Sequence, residues 1–413
     1  MGIEVEITHL NLHGQGVGRA GRREYRVDYA YPGDVVEIRS AGRGRWCVSR
    51  LISAGTHRTR APCPHFMRCG SCRWLGMRYS SQLEFKRELL RRLFGRETEV
   101  LPSPVRRYYR NRMDFTVGRS IGMRRYGSYA EVESALGCLL FSEHSDSIIT
   151  RSREFFDSRA LEHYDIARRQ GFLRYLVARE GKRSGRRMVA VVTHEGSFPL
   201  REYAEALGSL ADAFVWAVNA TLTDTSKGEV RESLGGFEEK LCGLSFRVPP
   251  FSFFQTNTLQ AERLVETVRS FVEQAEHLLD IYCGVGTFGI ALADLAERIT
   301  GIEEDAEAVS AAVDNARENG AENISFITGR AEELMSGIEE ADVAVVDPPR
   351  AGLHPKVVRA LRRLKPGKII YISCNPRTQA RDIASLGYSL EELAALDMFP
   401  HTPHVESVAL LTR

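Results

Sequence analysis

From His277 onward the chain repeats one pattern five times: a short run of apolar, β-branched residues, then a longer segment of mixed polarity. The runs are HLLDIYC (277–283), RITGIEE (298–304), NISFITG (323–329), ADVAVVD (341–347) and KIIYIS (368–373). Strands buried on both faces read this way, and their alternation with helices defines a doubly wound parallel sheet of the α/β class. Such sheets bind ligands beyond the carboxyl ends of their strands. The residues that close each run are therefore where chemistry is expected.

The first run closes on DIYCGVGTFG, in which Gly284, Gly286 and Gly289 satisfy G-x-G-x-x-G. Glu303 stands 19 residues after Gly284, where an acid accepts hydrogen bonds from ribose hydroxyls. Alone, this pattern fits a nicotinamide dehydrogenase as well as any other nucleotide enzyme. The fourth run closes on DPPR (347–350), an acid held against prolines that has no use in a dehydrogenase. Methyltransferases acting on exocyclic nitrogen carry an aromatic where this chain has Arg350, which turns the expected target towards carbon. Uracil C5 is unreactive by itself and needs a nucleophile. Cys374, directly after the fifth run, meets that need; the alternative is one more buried, inert thiol.

At 413 residues the chain exceeds a typical single core, so two or three domains are expected. Net charge is only +2, yet residues 1–130 hold 25 Lys and Arg against 11 Asp and Glu, a net +14, and the remainder is correspondingly acidic. Almost all of those bases are Arg, which suits bidentate phosphate contacts and stacking on bases. Residues 1–55 alternate β-type runs with glycine-rich turns bearing Arg19, Arg22, Arg23, Arg43 and Arg45. They predict a small β-barrel that grips a phosphate backbone. A central α+β region over 56–245 and a catalytic domain over 246–413 complete the expected organisation. The run VRRYYRNR puts Tyr108 and Tyr109 among Arg106, Arg107, Arg110 and Arg112, as single-stranded RNA binding would use. A helix is expected over 80–95, capped by Ser81, with Leu83, Leu90, Leu93 and Phe94 inward and Lys86, Arg87, Arg91 and Arg92 in water. Another is expected over 152–170.

Eight cysteines without a secretory leader argue for a cytoplasmic chain and against a disulfide framework. Cys63, Cys69 and Cys72 follow C-x5-C-x2-C, close to iron–sulfur ligation with a distant fourth cysteine. Cys138 is the natural fourth ligand, and zinc is the competing occupant. No run is apolar enough for a membrane span, and no feature calls for an obligate protein partner.

Taken together, SCNP (373–376), DPPR, DIYCGVG, FFQTN (253–257) and HTPHVE (401–406) resemble the RNA 5-methyluridine methyltransferase family, and the resemblance spans the chain. It implies a Rossmann-like catalytic domain, a TRAM-type barrel and a 4Fe-4S cluster on Cys63, Cys69, Cys72 and Cys138. It implies S-adenosylmethionine held by Gln255, Tyr282, Gly284, Gly286, Thr287, Glu303 and Asp347, with Gln255 and Asp347 also touching uracil. Cys374 becomes the nucleophile on C6 and Glu406 the base that removes the C5 proton. Thr287 replaces a frequent Asn, and Arg330 stands where an acid or amide contacts adenine. His401, His404 and Glu406 would otherwise read as a metal set, and Gln255 as a helix-terminal residue. The barrel and cluster together favour 23S ribosomal RNA as substrate over transfer RNA. The rival functional class is a non-catalytic RNA-binding protein with a degenerate transferase domain.

Overall fold

The structure, a computed structural model, describes residues 2–42 and 44–413; Arg43, expected on a barrel turn, lies outside them. Strands Ile3–Leu10, Gly16–Ala20, Arg23–Asp28, Val35–Ser40 and Trp46–Ser53 close into a five-stranded barrel. Val5, Ile7, Val27, Val36 and Ile38 alternate into its core. The Gly16–Ala20 strand comes from the stretch expected as a turn. Its glycines serve close approach: a Cβ on Gly18 would collide with the carbonyl oxygen of Glu6 on the paired strand. Arg19, Arg22, Arg23 and Arg45 are exposed.

A second, seven-stranded sheet follows, with Arg112–Val117 and Leu173–Glu180 near its centre and the hairpin Ile121–Arg124/Val132–Ser134 at one edge. Helices Ser145–Ser158 and Leu200–Leu207 cover it through Phe155, Phe156 and Tyr203. The helix expected over 152–170 therefore starts earlier and stops at Ser158. The apolar spacing ends at Phe156, and Asp165 accepts the Ala167 and Arg168 amides at 2.9 and 3.0 Å, folding the segment as a turn.

Helix Tyr79–Phe94 packs against helix Pro376–Leu386. Ser81 is buried within it instead of capping it, since Arg78 precedes the first turn. Leu90 is buried and Arg87, Arg91 and Arg92 are exposed, as expected. Lys86 reverses the expectation: it is fully buried, 2.5 Å from the equally buried Asp397 and 3.2 Å from the Phe399 carbonyl. Its long stem crosses the apolar face, and a carboxylate replaces water at its tip.

The third sheet contains β1 (Ala275–Ile281), β2 (Ala296–Glu303), β3 (Ile324–Thr328), β4 (Val343–Val346), β5 (Lys368–Ser373), β6 (Ser389–Leu396) and β7 (Glu406–Thr412). Their order is β3-β2-β1-β4-β5-β7-β6, and Val100–Leu101 adds an eighth strand beside β6. The first five are parallel, and β7 runs antiparallel to both neighbours. Strand order reverses between β1 and β4, so the ligand crevice opens there.

Candidate active site

At the end of β1, Tyr282 takes a left-handed backbone (φ 69°), and the amides of Tyr282 and Cys283 both donate to the Ile302 carbonyl at 2.9 and 3.1 Å. The chain then turns through Gly284 and Gly286. At Gly286 (φ 84°) a Cβ would be strained and would stand 2.9 Å from the Ile290 side chain. The Glu303 carboxylate, closing β2, accepts the Gly284 amide at 3.1 Å and the Asp305 amide at 2.9 Å. Its remaining lone pairs can accept two hydroxyls. Asp280 is completely buried; one oxygen takes the Gly289 amide at 2.8 Å and the other has no partner. Burial, with Glu303 nearby, pushes its carboxyl up to about 7. Thr287 opens the short helix Thr287–Ala291 and is buried. A fixed carboxylate beside a glycine loop, with an unpartnered acceptor beneath, fits a ribose-bearing cofactor. Arg330 instead pairs with Glu304 at 3.6 Å, both largely in water.

The expected nucleophile and base lie at the ends of β5 and β7, Cys374 directly after β5 and Glu406 as the first residue of β7. These strands oppose Ser373 to Ser407, and the continuation of that register opposes Cys374 to Glu406 on one face. Glu406 is buried, and burial together with Asp347 drives its carboxyl well above the ordinary range. Cys374 is half-buried; burial foremost, then the Glu406 charge, pushes its thiol up to about 11. Arg350 pulls the other way by its charge. Asp347 follows β4, and burial and Asp280 push it up to about 7. The Gln255 side-chain amide donates to Asp347 at 3.0 Å. Gln255 is not the cap of the following helix; Asn257 is, accepting the Gln260 amide.

Arg350, beside the Cys374 thiol, is a residue that the reading of the sequence did not place at the site. Its signal was the fourth letter of DPPR, used only to dismiss nitrogen chemistry. Arg350→Met removes the cation beside the sulfur, so the thiol rises further and the thiolate fraction falls. Alkylation of Cys374 by iodoacetamide at pH 7.5 is expected to slow by about tenfold per unit of that rise. The deficit should close above pH 11, as rates by peptide mass mapping will show.

Cys374 lies at one end of a cleft of about 990 Å³. The barrel contributes Arg26 and Arg45 to it, the loop after Cys72 contributes Arg73, and the edge hairpin contributes Arg124 and Arg125. Arg377, from the acidic part of the chain, joins them and binds the Leu12 carbonyl at 3.0 Å across to the barrel. Regional charge counting concealed that residue. Tyr109 is buried, its hydroxyl donating to the Pro400 carbonyl at 3.3 Å, so it cannot stack on a base as expected.

Cys63, Cys69, Cys72 and Cys138 line one cavity with Phe66, Met113 and Leu140. Burial, reinforced by the other three sulfurs, raises the Cys72 thiol. Among the described residues no three His, Cys, Asp or Glu side chains are placed to hold a metal ion. The His401–His404–Glu406 set also separates: His401 lines the cysteine cavity, whereas His404 lines the cleft. Among the described residues no helix is long and apolar enough to cross a membrane.

A doubly wound sheet with an antiparallel seventh strand, a glycine loop and a ribose-placed acid defines an adenosylmethionine-dependent methyltransferase of the Rossmann-like class. Residues 237–413 match the family model described as tRNA (Uracil-5-)-methyltransferase. The chain is 41% identical to the tRNA (uracil(54)-C(5))-methyltransferase of Pyrococcus horikoshii, over 97% of this chain and 98% of that protein. It is 36% identical to the 23S rRNA (uracil(747)-C(5))-methyltransferase of Pyrococcus abyssi, over 96% and 97%. The crystal structure of the P. abyssi tRNA (uracil-54, C5)-methyltransferase in complex with S-adenosyl-L-homocysteine superposes with a TM-score of 0.88, at 37% identity and 99% coverage of both chains. The chain belongs to the RNA uracil-C5 methyltransferase family and is an adenosylmethionine-dependent enzyme.

Proposed function

We propose that this enzyme methylates C5 of uridine 54 in transfer RNA through a covalent bond between Cys374 and C6 of the base. The observation carrying the chemistry is the β5–β7 register, which runs to Ser373 opposite Ser407, one residue short of Cys374 and Glu406, with the Glu406 charge acting on a Cys374 thiol that lines the arginine-rich cleft. For the substrate, the transfer RNA relative stands at higher identity than the ribosomal RNA one. That outweighs the preference for 23S ribosomal RNA drawn from the barrel and cysteines.

Bound S-adenosylmethionine supplies an electrophilic methyl group. Glu303 accepts from its ribose, and Tyr282, Gly284, Gly286 and Thr287 shape the loop around it. Cys374 as thiolate forms the S–C6 bond, and the C5=C6 electrons move onto C5 and O4, making C5 nucleophilic. Once C5 is methylated, Glu406 takes the C5 proton. The C–H electron pair restores C5=C6, the S–C6 bond breaks, and the thiolate returns. Gln255, its nitrogen committed to Asp347, keeps Oε1 for the imide N–H of uracil. Asp347, neutral below about 7, can donate to a uracil carbonyl. The base must leave its stack to reach this strand end, with the flanking backbone on Arg26, Arg45, Arg124 and Arg125.

Cys63, Cys69, Cys72 and Cys138 would hold a 4Fe-4S cluster. The donor set fits in its chemistry, being four thiols that line one cavity. There the group would cross-link the cysteine loop to the central sheet. Anaerobically purified protein should carry about four irons and four labile sulfides; stoichiometric zinc would overturn this part.

Unmodified transcripts of transfer RNA and of 23S ribosomal RNA, incubated with enzyme and cofactor, test the target. Mass mapping is expected to find 5-methyluridine at position 54 of the transfer RNA. Methylation confined to the ribosomal transcript would overturn the target, and methylation of neither would overturn the activity.

A further inference from the structure

We propose that Gln82 is a positioning residue for proton removal, clamping the segment that leads into Glu406 onto the loop that follows Cys72. The inference rests on the assignment of Glu406 as the base. Gln82 sits fully buried on helix Tyr79–Phe94 and outside the cleft. Its Oε1 accepts the His401 amide at 2.8 Å. Its nitrogen donates to the carbonyls of Trp74 at 3.0 Å and Met77 at 2.9 Å. The Trp74 amide in turn donates to the His401 carbonyl at 2.9 Å. Residue 401 is thus held through both of its backbone polar groups, and both bonds lead to one short loop.

The held residue is conformationally unusual. His401 has a left-handed backbone (φ 67°), which a residue with a Cβ keeps only where its surroundings impose it. Two residues earlier, the Phe399 carbonyl takes the Lys86 ammonium, which also pairs with Asp397. After His401 the segment is tied to itself: the Thr402 hydroxyl donates to the Phe399 carbonyl at 2.8 Å and accepts the His404 amide at 3.2 Å, and Glu406 opens β7. Val405 is completely buried. A shift at residue 401 therefore passes along a packed segment to the carboxylate that must meet C5–H.

An apolar side chain at 82 would fill the same space. It would leave the His401 amide and the Met77 carbonyl without these partners in the interior, while the Trp74 carbonyl would keep only the Met77 amide. A purely structural role for Gln82 predicts general loss of function. A positioning role predicts loss at one step, because Cys374 and the cofactor loop hang on other strands.

Gln82→Met keeps the volume and removes the bonds. With this variant kcat is expected to fall between about ten- and a hundredfold, with the affinity for S-adenosylhomocysteine and the rate of adduct formation on 5-fluorouridine RNA unchanged. A denaturation-stable adduct should accumulate on ordinary uridine RNA. Gln82→Glu keeps the acceptor for the His401 amide but sets a carboxylate oxygen against the Trp74 and Met77 carbonyls, so it too should accumulate the adduct. Gln82→Asn, one methylene short of that amide, should also accumulate the adduct and keeps the test decisive if Met at 82 prevents folding. Slower turnover without adduct on ordinary uridine, unchanged turnover, or a matching fall in the 5-fluorouridine reaction would overturn the proposal alone. Absence of a 5-fluorouridine adduct with the unsubstituted enzyme would overturn the covalent mechanism and this proposal together.

Discussion

Glu406→Gln is expected to leave the enzyme trapped on its RNA. Glutamine matches the buried glutamate in size, so β7 keeps its packing, but it cannot take a proton. Every step up to methyl transfer is left intact. The S–C6 bond then has no route to cleavage, because the electron pair that expels sulfur comes from the C5–H bond. Turnover should fall by about 10²–10⁴-fold, the usual contribution of a general base. Ordinary uridine RNA should run attached to the protein on a denaturing gel, with one methyl per adduct. Free methylated RNA at the normal rate would show that another group removes the proton. The pH dependence has a definite sign. Burial and Asp347 hold the Glu406 carboxyl well above the ordinary range, so the substrate-free enzyme keeps it neutral to higher pH than a surface glutamate. Since the base works only when ionised, and acts after methyl transfer, kcat of the unsubstituted enzyme should rise as pH climbs through that range.

What the sequence disclosed, and what it hid, follows from the range of the interactions involved. The five parallel strands of the catalytic sheet were legible because each is buried on both faces and must be continuously apolar. The position of Cys374, Asp347 and Glu303 at strand ends was legible because each closes or directly follows one of those apolar runs. The opposition of Cys374 to Glu406 was not, since β7 enters the sheet between β5 and β6 from 32 positions further along the chain. Periodicity also misplaced Lys86. A charged residue on a helix reads as solvated unless its partner is known, and Asp397 lies far off in sequence. Gly16–Ala20 was taken for a turn because glycine signals turns, whereas here it lets two strands approach. Gln82 left no signal at all: what it holds is the backbone of distant residues, and backbone carries no letter.

Cys374→Ala should remove activity by more than about 10⁴-fold, a loss of the size seen when a covalent nucleophile is deleted, and should abolish the adduct on 5-fluorouridine RNA. S-adenosylhomocysteine should still bind, because its site is built from β1 and β2. The state of the thiol sharpens the expectation. Held up to about 11, it is ionised in only about one molecule in 10⁴ at pH 7 without substrate. Iodoacetamide should therefore label Cys374 slowly at neutrality and about tenfold faster for each pH unit up to about 11. Cys283, more deeply buried beneath the glycine loop and held higher still, should stay unlabelled throughout that range. Attack on C6 therefore draws on the ionised fraction, the S–H proton passing to solvent and the Arg350 charge favouring the thiolate. An adduct of undiminished yield from the alanine variant would assign the attack to another residue and dissolve the pairing with Glu406 on which the mechanism depends.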